Sequence, residues 1–248
     1  MNKILFPRLA WFLLLLIPIT FFGFYPSYFS KLTGTATIFH VHAFFMILWI
    51  AMAILQPFLI IRKKTKLHRL IGKASYFIMP VVFITAWLVI RHVYHLQITR
   101  MEEANSAEGA IVKGADEIRS HAAAYIAIGV VYLAWLVIYY LLAVINRRKM
   151  LFHATYMMGA ILTLLGPTLD RLLYNTWQTL GWKFGFLVQN AVFLLNLLLI
   201  SALLIYQHRK GNSVKPAGIT LAIYVAGLLI FFCLTDTQLW QTAVEWLM

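Results

Sequence analysis

Seven runs of mostly apolar residues, each about as long as a bilayer is thick, leave this chain few folds to choose from. They cover residues 9–25, 38–61, 67–90, 121–145, 151–174, 184–206 and 217–235. A spanning helix needs ~20 such residues to cross the hydrocarbon core at 1.5 Å per residue, and hydrocarbon forces every backbone N–H and C=O to be satisfied within the segment. A soluble bundle is excluded by composition: 62% hydrophobic and 12% charged residues with a mean hydropathy of +0.81 are far outside the soluble range. The expectation is an all-α, polytopic membrane protein: one integral membrane domain over 1–248, with seven transmembrane helices.

The formal net charge of +13 raises the question of an acidic or nucleic-acid partner, and the placement of the charges answers it. With the N-terminus inside, Lys3, Arg8, the cluster from Arg62 to Lys73, Arg147, Arg148, Lys149, Arg209, Lys210 and Lys215 share one side, fourteen of the twenty-one Lys and Arg. The eight acids then fall at or beyond the other boundary. This Lys/Arg bias predicts a cytoplasmic N-terminus and an external C-terminus in a bacterial-type plasma (inner) membrane. The partner is the lipid bilayer, and no nucleic acid is needed to explain the charge. The first run ends in FFGFYPSYFS, with aromatics and proline where a cleavage site needs small residues, and is read as a retained helix. The single Cys233 has no intramolecular disulfide partner.

Histidines mark the ends of the runs. The second run opens with His40 and His42, which point about 200° apart on a helix, so that only one faces the bundle. His42 is the inward candidate, because Met46, Trp49 and Ala53 continue its face. His68 follows the basic hinge RKKTK at the opposite boundary, and the third run ends near Arg91, His92 and His95. The fourth run opens at His121. After a second basic hinge comes His153, and seventeen residues later the pair Asp170–Arg171. Asp170 and Arg171 point about 100° apart, so each is expected to find its own neighbour, with Arg91 one candidate for Asp170. The stretch 96–120, which holds five acids, is read as the longest outer loop. His40 and His208 are read as interfacial.

Runs two and three repeat the layout of runs four and five: outer histidine, apolar span, basic hinge, inner histidine, apolar span, outer arginine. The members are His42, His68 and Arg91, then His121, His153 and Arg171. A four-helix core over 38–175 would carry two histidines in each of two layers, and bundle cores are common places for cofactors held from facing helices. The stretches HVHAFFM, KLHRLIG, HAAAYIAIG and LFHATYMMG resemble the cytochrome b561 family of di-haem transmembrane electron carriers. The resemblance covers about 38–175 and leaves the helices over 1–30 and 184–235 as accessories; a seventh helix departs from that family's usual six. It implies two b-type haems, one between His42 and His121 and one between His68 and His153, with Arg91 and Arg171 at the outer layer and Lys66, Arg69 and Arg148 at the inner layer facing propionates. It further implies a small-molecule or quinone redox partner.

Two other readings use the same residues. An outer metal site would draw on His42, His92, His95 and His121 with Glu102 or Glu103, since imidazole suits zinc, copper or iron. A non-redox transporter or assembly factor would need no histidine pair, but no span carries a central charge of the kind an ion path uses. Gln56, Asn190 and Asn196 are the deepest polar side chains, of the kind that join helix to helix.

Overall fold

The computed structural model describes residues 9–106, 113–181 and 185–248, all helical apart from turns and short connections, with no strand among them. Among the described residues six helices are long and apolar enough to cross a membrane. These are α3 (Thr37–Ile61), α4 (Thr65–Asn105), α5 (Ala115–Ile145), α6 (Met150–Thr179), α7 (Gly185–Arg209) and α8 (Lys215–Leu234), with α9 (Gln238–Leu247) following them.

The first expected span is where the count departs from seven. It is two pieces, α1 (Leu9–Leu13) and α2 (Leu16–Phe24), short of the ~20 residues a crossing needs. Pro18 accounts for the break. Its ring has no N–H to give and crowds the carbonyl four residues back, that of Leu14, which instead accepts from Ile17 N at 3.2 Å. Pro57, Pro80 and Pro167 sit inside longer helices that continue through them.

The up-and-down order brings the hinges α3/α4, α5/α6 and α7/α8 to one end, here called the basic end. Two of them share a closure. After α7, Gly211 takes φ +65° while its N–H and that of Asn212 reach back to His208 O and Gln207 O, at 2.9 and 3.0 Å. After α3 the same pair of bonds runs from Lys63 N to Ile60 O and from Lys64 N to Leu59 O, at 3.0 and 2.8 Å. This is the Schellman stop, whose left-handed residue is usually glycine; here it is Lys63, at φ 56°.

α3, α4, α5 and α6 pack in sequence, while α1 lies on α3 and α2 on α6. α5 is the hub, buried from Ile118 to Ala143 along successive turns. It also holds α8, read from the sequence as an accessory. Trp135 Nε1 donates to Ile223 O at 3.1 Å, Tyr139 OH donates to Thr220 O at 2.8 Å, and the Trp135 ring stacks on Tyr224 at 4.5 Å. The approach is close because Gly227 faces the Trp135 indole and Gly166 of α6 faces the Tyr132 ring, each leaving no room for a Cβ.

At the far end the expected outer loop is mostly helix. α4 runs on through 91–105, and α5 starts six residues before His121. The 41 residues of α4 span ~62 Å, about twice the hydrocarbon thickness. The extension persists because Ile90, Tyr94 and Ile98 keep an apolar edge at helical spacing, packed with Ala122, Ala123, Ile126 and Val244. Asn105 closes its end by bonding Lys113 O and N at 2.9 and 3.1 Å. α9 braces it from the side, with Trp240 Nε1 on Ala123 O at 2.9 Å. Trp240 is therefore packed, while Trp246 is 86% exposed. Glu108 lies outside the described residues.

Two substitutions test this account through the unfolding midpoint of the detergent-purified protein. Gly227→Ala should lower it, by an overpacking cost of about 1–3 kcal/mol. Lys63→Gly should raise it, since glycine relieves about 1 kcal/mol at a left-handed position.

Candidate functional site

The bundle carries polar side chains in two layers, one at each end. Seventeen residues separate His68 from Thr85 on α4, and seventeen separate His153 from Asp170 on α6, so the layers are ~26 Å apart along both helices.

At the basic end, α4 and α6 each start directly after a hinge and place a histidine in the first turn, with His68 N on Lys64 O and His153 N on Lys149 O at 3.0 and 2.9 Å. Starting in the same register, the two helices bring the half-buried rings of His68 and His153 together, centres 6.5 Å apart and planes at 88°. His153 Nδ1 lies 2.9 Å from Ala143 O. A carbonyl only accepts, so Nδ1 carries the proton and Nε2 keeps its lone pair. The backbone oxygen of His68 accepts from Gln56 Nε2 at 3.2 Å. His68 Nδ1 and Gln56 Oε1 are both enclosed without a hydrogen-bond partner, which is costly unless something completes them. Gly72, one turn above His68, leaves space: a methyl there would meet only Gln56 Nε2, at 3.7 Å. Gln207 adds a third polar group, fully buried, with Nε2 on Thr155 Oγ1 at 2.7 Å and Oε1 unpaired.

At the far end, Thr85 Oγ1 donates to Val81 O at 2.8 Å, and His42 Nδ1 lies 3.1 Å from the same oxygen. The hydroxyl has one hydrogen and spends it on α4, so His42 is the donor and its Nε2 is free. Arg171 is within electrostatic range of His42; its guanidinium bonds Pro167 O at 3.0 Å and lies over the Phe24 ring at 4.6 Å. Asp170 receives Tyr132 OH on Oδ2 at 3.4 Å, while Oδ1 is enclosed with no partner. Asn196, 1% exposed, has both amide atoms unpaired, and Tyr224 on α8 gives its hydroxyl proton to Phe193 O at 3.0 Å.

No family model, curated protein or solved structure matches this chain. The residues singled out in the sequence therefore have to be judged on where the fold puts them. His68 and His153 are brought together. His42 and His121 bond to different neighbours: His121 is exposed, 3.5 Å from Lys113 Nζ and 4.0 Å from Glu117. Arg91 donates to the backbone oxygen of Met248, not to Asp170, and His95 Nε2 is 3.3 Å from that same oxygen. His92 packs edge-on to Phe39 at 5.4 Å, and His40 meets Tyr28 OH at 2.9 Å. Among the described residues no three His, Cys, Asp or Glu side chains are grouped to hold a metal ion.

Thr85, Tyr132 and Gln207 were not singled out in the sequence. Gln207 had a readable signal: Phe193, Asn196, Ile200, Leu203 and Gln207 recur every three or four residues and are all buried, the stripe of one helix face. Thr85 and Tyr132 had none, since each is defined by a partner on another helix.

An enclosed, half-paired carboxylate costs stability. Asp170→Asn should therefore raise the unfolding midpoint, by the equivalent of about 1–3 kcal/mol. Tyr132→Phe, which strips the one hydrogen bond the carboxylate has, should lower it; an unchanged midpoint in both variants would show that Asp170 is not enclosed as described.

Proposed function

We propose that the chain is a membrane electron-transfer protein of the b-haem type, with His68 and His153 as the two axial ligands of a haem at the basic end. The observation that carries this reading is the pairing of the two rings. The ring centres lie 6.5 Å apart, so the two imidazoles would hold one iron-centred group from facing helices.

The donor set favours haem over a bare ion. Two imidazoles with no third His, Cys, Asp or Glu beside them fall short of the four ligands of a typical zinc site. They suffice for haem, whose ring supplies the other four nitrogens and leaves the axial positions to the protein. Ala143 O fixes the His153 proton on Nδ1 and so leaves Nε2 free to bind, the usual way a second partner orients a ligating histidine. The orphaned His68 Nδ1 and Gln56 Oε1 sit on side chains already joined through the His68 carbonyl and would satisfy each other in the same role. Arg148, exposed at this end, would face a propionate. When bound, the haem supplies one-electron redox chemistry.

The proposal is for one haem, where the layout of the sequence implies two. His42 and His121 have separate bonding partners.

The visible spectrum of the purified protein, oxidised and then reduced with dithionite, tests this directly. About one haem per chain with a sharp reduced α-band is expected. His68→Ala and His153→Ala should each lose it, while His42→Ala and His121→Ala keep it. A colourless preparation after haem-supplemented expression, or wild-type haem content in both inner variants, would sink the proposal.

A further inference from the structure

The face of α4 turned away from the bundle is a single stripe: Lys66, Leu70, Lys73, Phe77, Pro80, Ile84 and Leu88, all exposed and spaced by three, four or seven residues so that they stack along one side. The opposite side of the helix carries its buried residues Ser75, Met79, Val82 and Thr85. Leu70, Phe77 and Ile84 are 66%, 68% and 60% exposed, which in a spanning helix is a surface for acyl chains. Lys73 interrupts it. It lies seven residues beyond Lys66, ~10 Å further along the axis, between Leu70 and Phe77, where an unpaired ammonium is costly unless it reaches back to the headgroups and finds an anion there. Arg69, four residues earlier and so beside Lys73 on the helix, is exposed and bonds only its own Thr65 O, at 3.4 Å.

No carboxylate is at hand to neutralise the three cations. The two ion pairs among the described residues both involve Glu117 at the far end, and the sequence has no Asp or Glu over 1–101 or 118–169. We infer that Lys66, Arg69 and Lys73 form a binding site for an anionic phospholipid, its phosphate among the three cations and an acyl chain along Leu70, Phe77 and Ile84. The start of α4 lies beside them, and its unpaired N–H groups favour the same charge. A soluble acidic protein suits the site less well, because Lys73 sits within the apolar stripe, where a lipid brings its charge and its chains together.

The test uses the full chain, delipidated in mild detergent, with the unfolding midpoint followed through its tryptophans. Phosphatidylglycerol should raise the midpoint by roughly 5 °C at saturation, and phosphatidylcholine with the same chains should not. The Lys66→Gln, Arg69→Gln, Lys73→Gln triple variant should lose the response. A control that removes the same charge from the neighbouring hinge, Arg147→Gln, Arg148→Gln, Lys149→Gln, should keep it. If the triple variant does not fold, Lys73→Leu replaces it, and native mass spectrometry of the wild type should count a retained phosphatidylglycerol that the Lys73→Leu protein has lost. Equal responses to the two lipids, equal loss in both triple variants, or a response to glycerol phosphate alone would each overturn the inference. So would a response to soluble polyglutamate in place of phosphatidylglycerol.

Discussion

Helices surrounded by lipid gain little from hiding apolar side chains against one another, because the acyl chains are as apolar as leucine; close packing and interhelical hydrogen bonds do the joining. In this bundle that work centres on α5. Its Trp135 and Tyr139 reach across to backbone carbonyls of α8, its Tyr140 meets Ser75 of α4 at 2.9 Å, and its Tyr132 reaches Asp170 of α6. Each bond joins the polar tip of an aromatic ring to a group on a different helix, so one helix fixes the positions of three others. Gly166 and Gly227 make the approach possible by leaving room for the rings. The two polar layers inherit their geometry from this frame, since α4 and α6 both pack on α5.

The layers differ in how completely they are satisfied. In the one at the basic end, His153 has its proton fixed by Ala143 O, while His68 Nδ1, Gln56 Oε1 and Gln207 Oε1 are enclosed and unpaired. In the far one, His42 and Thr85 form a closed pair, and Asp170 and Asn196 hold the unpaired atoms. Buried polar groups in folded proteins are nearly always paired, so each exception calls for a reason. Among the described residues most of the exceptions lie on side chains of these two layers, with Thr20 Oγ1 and Trp49 Nε1 besides.

Much of this was legible in the sequence. The run 38–61 became Thr37–Ile61, and 217–235 became Lys215–Leu234, because a spanning segment announces itself by length and hydropathy. The extension of α4 was missed because hydropathy falls at Arg91 while helical periodicity continues through Tyr94 and Ile98. The first run is not confirmed as a span, because the helix is interrupted near Pro18 into two short pieces. The inner histidine pair followed from two hinges that start two helices in the same register, a feature that survives translation from sequence to space. His42 and His121 have different neighbours: His42 bonds Thr85, while His121 is exposed beside Lys113 and Glu117. The partners of His42 and Asp170, Thr85 and Tyr132, are an ordinary threonine and tyrosine until the helices are packed.

The brevity of the hinges also bears on how the protein is made. Three residues separate α3 from α4 and four separate α5 from α6, too few for either helix of a pair to settle in the membrane far from its mate. α3 with α4 and α5 with α6 therefore form two helical hairpins, each carrying one histidine of the basic-end pair. A nascent chain that has completed α3 and α4 holds His68 facing lipid, with nothing opposite. His68 and His153 meet only where the two hairpins pack together.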